Sequence, residues 1–313
     1  MNFEYFLENL LTPDLFVAPI RIATPIALAT LGATICERSG IINIALEGKM
    51  LMGGFVAVAV SYSSGSSLLG LVAAVTAGGL MGLIMAFGAI TLKANQVVLG
   101  AALNIFAAGL TGFLTTVIFE SPGASARIPG LEPIFISGLS EIPWIGRIIF
   151  SHTPIVYMAI FLVILGHFFI FNSPWGTWIR AAGDRPLALH SAGVNITSVR
   201  YWSVIVSGCL ASLGGAHLTL EVTHHFTVNM SGGRGFIALA ANIFGKWTPL
   251  GGGAGSLLFG LADYLKLKGA IFQIAPEILL MLPFILTLIV LVGVMGRATA
   301  PNSLGQPYDP QSH

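Results

Sequence analysis

The sequence has 313 residues, of which 55% are hydrophobic and 9% are charged, and its mean hydropathy is +0.87. Soluble domains carry about 25% charged residues, so this composition excludes a soluble protein and predicts an integral membrane protein. The formal net charge of +1 also excludes a strongly basic surface for nucleic acid.

Apolar runs along the chain predict an all-α, polytopic membrane helix bundle. A transmembrane helix needs about 20 apolar residues, within a range of roughly 17 to 25. Runs that reach or approach this length occupy residues 15–35, 41–60, 68–92, 97–119, 154–171, 201–220, 235–244, 252–265 and 278–294. The runs at 235–244 and 252–265 are short and flanked by glycine, which is typical of broken or re-entrant segments. We therefore expect about 8–10 transmembrane segments, some of them broken.

The polar connections between these runs set the orientation. Lys and Arg are enriched in cytoplasmic loops, and this rule places residues 172–200 on the cytoplasmic side. Residues 120–153 are rich in Pro and Gly and too long for a tight turn, so they predict a folded external cap. Residues 299–313 are polar and carry three prolines, and we expect this tail to be disordered.

The most polar stretch between two apolar runs is residues 178–195. Pro186 follows Asp184 and Arg185 and predicts a helix start, because proline at the first helical position loses only an N–H that has no partner. Gly193 predicts a left-handed stop. A helix of about two turns is marginal by itself in water, so we expect a partner outside the membrane to hold it.

Several polar residues within the apolar runs are candidates for a polar interior. A lone charge such as Glu47 costs about 2.5–3.5 kcal/mol at the bilayer centre. Either its segment is broken and Glu47 faces a polar interior, or Glu47 pairs with a basic group near the inner surface. Asn43, four residues earlier, would share its helical face. Gln96, Asn104 and Asn242 are further candidates, and the alternative for each is an amide that bridges two helices.

Other patterns exclude several kinds of chemistry. Gly245-Lys246 is followed by Trp247, so the chain has no phosphate-binding loop and cannot hydrolyse ATP by that route. The spacing of His217, His224 and His225 around Glu221 does not fit a metal-binding helix motif. These residues predict either a proton relay in a secondary transporter or a location at the outer membrane boundary.

No nucleophile motif indicates an enzyme, and no motif indicates a cofactor or metal site. The cysteines, Cys36 and Cys209, lie far apart in or beside apolar runs. This favours a buried apolar role for both over a disulfide.

Five motifs together resemble the permease subunit of bacterial nucleoside ABC importers, within the wider ribose and branched-chain amino-acid permease superfamily. They are ERSGIINIALEG (residues 37–48), NQVVLG (95–100), RAAGDRP (180–186), GRGFIALAANIFGKW (233–247) and GQPY (305–308). The resemblance covers nearly the whole chain, in order.

The resemblance implies a transmembrane permease domain at residues 1–298 in the bacterial inner membrane. It implies a separate ATP-binding subunit, a second and longer permease subunit, an extracytoplasmic substrate-binding lipoprotein and a nucleoside substrate. By the same resemblance, the substrate pathway is lined near Asn43, Glu47, Gln96, Asn104 and Asn242. The residues that it assigns to ATPase coupling are Arg180, Gly183, Asp184, Arg185, Pro186, Leu189, Gly193 and Asn195.

Three alternatives stay open at this point. The first is an ABC permease for simple sugars or branched-chain amino acids. The second is an ion-coupled secondary transporter that uses Glu47 or Glu221. The third, a purely structural membrane subunit, fits poorly with a carboxylate inside an apolar segment.

Overall fold

The computed structural model describes residues 14–134, 146, 150–271, 281, 285 and 299–308. Its helices are α1 (Asp14–Arg38), α2 (Leu46–Ser64), α3 (Ser67–Ala86), α4 (Gln96–Phe119), α5 (Pro154–Asn172), α6 (Pro174–Asp184), α7 (Pro186–Ser191), α8 (Ile196–His217), α9 (Arg234–Phe244) and α10 (Pro249–Ile271). α3 and α8 continue into π-helical turns at Phe87–Thr91 and Leu218–Thr223. The predicted all-α membrane bundle is confirmed.

In the part of the chain that is described, five helices are long and apolar enough to cross a membrane, namely α1, α3, α4, α5 and α8. The most apolar stretch of α8 is 78% buried inside the protein, against 22% for α4. α8 packs against α1, α2 and α3, whereas α4 packs mainly against α2. α8 is therefore the core of the bundle, and α4 lies at its periphery.

Glycines let α3 and α8 approach at backbone distance. A Cβ atom added to Gly208 on α8 would lie less than 3.0 Å from the carbonyl oxygen of Gly78 on α3. A Cβ atom on Gly78 would meet the carbonyl oxygen of Gly208 equally closely. Such contacts between small residues drive helix association in lipid, where the hydrophobic effect between helices is absent.

Two helices differ from the predicted runs. α2 begins at Leu46 rather than at residue 41, because residues 39–45 form a buried connection that is not α-helical. α10 spans 23 residues and is not short, because its helix continues past the charged residues Asp263, Lys266 and Lys268. α9 is 11 residues long, as its short apolar run predicted. The predicted run at 278–294 lies largely outside the described residues.

The described parts of the predicted cap fold back on the end of α8. Residues 123–131 pair with residues 220–228 through backbone hydrogen bonds, including Ile128 N to His224 O and Leu131 N to Leu220 O. Ile134 N donates to His152 O. This cap end of the bundle lies opposite the end that carries α6 and α7. Most of residues 135–149 lies outside the described range.

Residues 301–308 do not form the disordered tail that their composition predicted. Ser303 N donates to Gly183 O at 2.8 Å, and Gly305 N donates to Gly40 O at 2.9 Å. Gly183 is in the last turn of α6 and Gly40 is in the turn after α1, where carbonyl groups lack partners within a helix. The correction has a physical reason: the partners of this segment are distant in sequence, so its own composition does not reveal them. Residues 309–313 lie outside the described range.

We predict that Gly208→Ala lowers the free energy of unfolding by about 1–3 kcal/mol, because the added methyl group pushes α3 and α8 apart. The measurement is the thermal midpoint in detergent, followed by fluorescence-detected size-exclusion chromatography. Gly109→Ala is the matched control, since a Cβ there meets open space. Equal midpoints for the two variants would contradict the close packing of α3 and α8.

Candidate translocation and coupling sites

Glu47 lies where the N-terminal ends of two helices meet. It is in the first turn of α2. Its carboxylate also accepts hydrogen bonds from Gly233 N and Gly235 N at the start of α9, both at 2.7 Å. The N-terminus of a helix carries unpaired N–H groups and a partial positive charge. Glu47 therefore caps α9 from a neighbouring helix and is not an isolated charge.

The glycines of the GRG motif make room for this carboxylate. Gly233 has a φ of +83°, a left-handed conformation that glycine adopts at low cost. A Cβ atom on Gly235 would lie less than 3.0 Å from the backbone N, the Cα and Oε2 of Glu47. Of the two readings of Glu47, the geometry favours a broken segment whose acidic residue faces polar groups.

Gln96 and Asn104 bind the backbone of the non-helical connection and of the first turn of α2. Gln96 Oε1 accepts from Ile42 N at 2.8 Å. Asn104 accepts from Gly48 N at 2.7 Å and donates to Ile44 O at 2.9 Å. Two side chains of α4 therefore pair backbone groups that α1 and α2 leave unpaired, which matters in a membrane where water cannot replace those bonds.

Asn43 lies inside this connection and is fully buried. It donates to Ser207 Oγ on α8 at 2.7 Å and accepts from Lys49 Nζ at 2.8 Å. Lys49 is also fully buried and reaches Met85 Sδ on α3 at 3.2 Å. The amide of Asn43 thus joins the connection to α2 and α8 and solvates a buried ammonium group.

Asn242 lies in a different cluster. It donates to Glu37 Oε2 at 2.8 Å and accepts from Thr34 Oγ1 at 2.7 Å. Trp247 Nε1 donates to the same Glu37 oxygen at 2.6 Å, and Arg38 Nε donates to Trp247 O at 2.7 Å. These bonds attach α9 and the following loop to the end of α1.

The structure thus brings together Asn43, Glu47, Gln96 and Asn104 around residues 39–48, and it places Asn242 apart from them. Each side chain has hydrogen-bond partners within the protein. Glu37 and Lys49 were not predicted as site residues; the available signal was a charged residue within or beside an apolar run, which is unusual in a membrane protein.

The predicted docking helix forms as α7, six residues from Pro186 to Ser191, with proline in its first turn. Gly193 has a φ of +79°, as expected for a left-handed stop. Leu189 is 5% exposed and anchors α7 to the bundle. Leu187, on the other side of α7, is 45% exposed. The helix therefore presents an apolar side chain to its surroundings.

The other predicted coupling residues surround α7. Arg180 lies on α6 with its guanidinium 5.3 Å from the centre of the Phe171 ring. Gly183 and Asp184 end α6, and the exposed Arg185 lies between α6 and α7. Asn195 caps α8 by accepting from Ser198 N at 3.1 Å. The sequence did not predict α6 as a separate helix.

Arg200 is a further functional candidate at this end, and the sequence did not predict it. Its side chain is 2% exposed, and its guanidinium donates to Ser39 O at 3.0 Å and to Ala182 O and Gln306 O, both at 3.2 Å. These acceptors belong to three different segments. The signal in the sequence is an arginine immediately before the apolar run at 201–220, because an arginine that becomes buried there needs several partners.

At the cap end, His217 and Glu221 are neighbours on the last turns of α8. Nδ1 of His217 lies 2.6 Å from Glu221 Oε2, and its Nε2 donates to Arg21 O at 3.2 Å. Glu221 also accepts from the Thr153 hydroxyl and from Ile155 N. The carboxylate therefore fixes the start of α5 to α8. Among the described residues, no group of three or more His, Cys, Asp or Glu could hold a metal ion.

The family model described as the permease component of the branched-chain amino acid transport system matches residues 16–291. The guanosine ABC transporter permease protein NupQ of Bacillus subtilis is 39% identical over 91% of this chain and 93% of its own length. The nucleoside ABC transporter permease protein NupC of Lactococcus lactis is 34% identical over the same shares. The galactofuranose transporter permease protein YtfT of Escherichia coli is 24% identical over 82% of this chain and 71% of its own length. No solved structure matches the chain significantly.

We predict that Glu47→Gln lowers the free energy of unfolding by about 1–3 kcal/mol. Glutamine has one acceptor oxygen, and its amide group would face a backbone N–H. The thermal midpoint of the purified protein checks this, with Glu120→Gln, an exposed residue after α4, as the matched control. If both variants melt like the wild type, Glu47 does not act as the cap of α9.

Proposed function

The chain belongs to the family of permease components of branched-chain amino acid transport systems, and we propose that it is the membrane subunit of an ATP-driven importer of nucleosides. The observation that carries this proposal is the 39% identity to a guanosine permease across 91% of the chain. NupC, which is named for nucleosides, supports the same substrate class.

Simple sugars are the second candidate substrate class. The relative YtfT is named for galactofuranose, and a nucleoside also contains a five-membered sugar ring. A pathway that recognises the furanose ring could serve both classes of substrate. The higher identity to NupQ and NupC favours nucleosides.

The proposed assembly contains a separate ATPase, a second and longer permease subunit and an extracytoplasmic substrate-binding lipoprotein, in the bacterial inner membrane. We place the ATPase at α7. This helix is short and exposes Leu187, and the chain lacks a phosphate-binding loop of its own. Arg180, Gly183, Asp184, Arg185, Pro186, Leu189, Gly193 and Asn195 form or support this docking surface in the proposal.

The proposed substrate pathway lies beside α2, α4 and α9. α2 carries Glu47, which binds the N-terminus of α9, and α4 carries Gln96 and Asn104. Broken segments with helix ends in the protein interior are typical of binding sites inside transporters. ATP binding would favour one of two conformations of the bundle, because the ATPase dimer contacts α7 differently in each. The bonds of Asn43 and Asn242 support a role for these two residues in holding the pathway helices.

We predict that the complete complex, reconstituted with its ATPase and binding protein, takes up labelled guanosine when ATP is supplied. Excess unlabelled nucleosides should abolish this uptake, whereas an excess of free galactose should reduce it less than twofold. Absence of guanosine uptake, together with ATP-dependent uptake of a labelled simple sugar by the same complex, would replace the nucleoside proposal by the sugar proposal.

We predict that Arg185→Glu weakens retention of the ATPase by the permease about tenfold or more, equivalent to about 1.4 kcal/mol. Arg185 is exposed between α6 and α7, so charge reversal changes the docking surface without removing an internal bond. The measurement is binding of the purified ATPase to the permease in nanodiscs. Arg127→Glu, an exposed reversal at the cap end, should bind as the wild type does. If the Arg185→Glu variant binds the ATPase as tightly as the wild type does, the docking surface does not include Arg185.

A further inference from the structure

A groove of about 440 Å³ lies between α7 and residues 301–308. Leu187 and Ala188 contribute to one wall, and Pro307 and Tyr308 contribute to the other. Arg200 and Ser303 lie at its base. The groove opens next to the exposed side of α7, so any protein that contacts α7 also meets the C-terminal segment.

Residues 301–308 are held in place mainly by their backbone and by one buried serine. Ser303 donates to Gly183 O through both its N–H, at 2.8 Å, and its hydroxyl, at 2.6 Å. Gly305 N donates to Gly40 O. Ser303 is 9% exposed. The segment thus joins the end of α6 to the turn after α1. Its hydrogen bonds pair polar backbone groups that would otherwise lack partners.

Arg200 completes this junction with bonds that a lysine could not reproduce. Its planar guanidinium donates in three directions, to residue 39 after α1, to residue 182 in α6 and to residue 306 in the C-terminal segment. The donors of arginine form a rigid fork, whereas a lysine offers a single point charge on a flexible stem.

Tyr308 connects the junction to α7. Its ring centre lies 6.0 Å from Cζ of Arg200 and 6.2 Å from the centre of the His190 ring. His190 is in the last turn of α7. His190 therefore links α7 to the C-terminal segment, and Arg200 links that segment to Ser39. Residues 39–45 in turn bind Gln96 and Asn104 on α4.

We propose that residues 301–308 are the second half of the surface that receives the ATPase, and that Arg200 is the positioning residue that holds this half against α7 and residues 39–45. The inference rests on the proposed function, because it assumes an ATPase at α7. The groove is lined by apolar side chains such as Leu187 and Tyr308 and by the charged side chains of Asp184, Arg185 and Arg200, so it fits a segment of that subunit that carries both apolar and charged residues. The segment and the guanidinium then transmit the movement of α7 to the helices of the pathway.

Two truncated chains test the proposal in the complete complex. A stop after Ala300 removes the segment, and a stop after Tyr308 keeps it and serves as the control. We expect the Ala300 stop to bind the ATPase at least tenfold more weakly in nanodiscs. We also expect its uptake per ATP hydrolysed to fall at least tenfold at saturating ATPase, while the Tyr308 stop behaves as the full chain. Wild-type binding and wild-type uptake per ATP by the Ala300 stop would overturn the proposal.

Point variants separate the positioning role from general stability. Arg200→Lys keeps the charge but loses the fork, so we expect the same loss of uptake per ATP as in Arg200→Met. Restoration of coupling by lysine would overturn the assigned role of Arg200. If either variant folds poorly, Tyr308→Ala gives the test, because it removes only a partly buried ring. It should weaken ATPase binding about threefold or more, and unchanged binding would count against the surface.

The failure of this inference is distinguishable from a failure of the proposed function. If the wild-type complex hydrolyses ATP but imports no nucleoside, the substrate assignment is wrong. The binding of the ATPase to the two truncated chains still decides whether residues 301–308 belong to the docking surface.

Discussion

The structure depends on how the backbone of residues 39–45 satisfies its polar groups. A chain inside a membrane protein cannot leave N–H and C=O groups unpaired, because lipid offers no replacement for water. Here the partners come from Gln96 and Asn104 on α4, from Arg200 on α8 and from Gly305 near the C-terminus. A local interruption between two helices therefore fixes the mutual positions of elements from the whole chain.

The same interruption brings the start of α2 next to the start of α9. Two helix N-termini would repel each other through their partial positive charges. The carboxylate of Glu47 lies between them and offsets that repulsion with two 2.7 Å hydrogen bonds to α9. A carboxylate that would be costly to place in lipid thus stabilises the fold here, because backbone N–H groups at a helix N-terminus bind it.

Helix ends, which depend on residues close together in the chain, could be predicted from the sequence. Hydrogen bonds between residues far apart in the chain could not. Pro186 and Gly193 delimited α7 correctly, because proline and glycine restrict or permit particular backbone angles locally. The cap formed by Glu47 was beyond prediction, since Gly233 lies 186 residues away. Asn242 was predicted as a polar residue of the pathway, and that role stays a prediction; Glu37, its hydrogen-bond partner 205 residues earlier, was not predicted. Composition alone misjudged residues 301–308 for the same reason.

The order in which these partners are synthesised has a consequence for biogenesis. A ribosome delivers α1 and residues 39–45 to the membrane early, yet Gln96 follows Ile42 by 54 residues and Arg200 follows Ser39 by 161 residues. Gly305, which binds Gly40, is synthesised later still. The polar backbone groups of residues 39–45 therefore wait for these partners, bound meanwhile to water or to the insertion machinery. A segment made late thus pairs with a turn made early, and the buried connection between α1 and α2 is complete only after residue 305 has been synthesised.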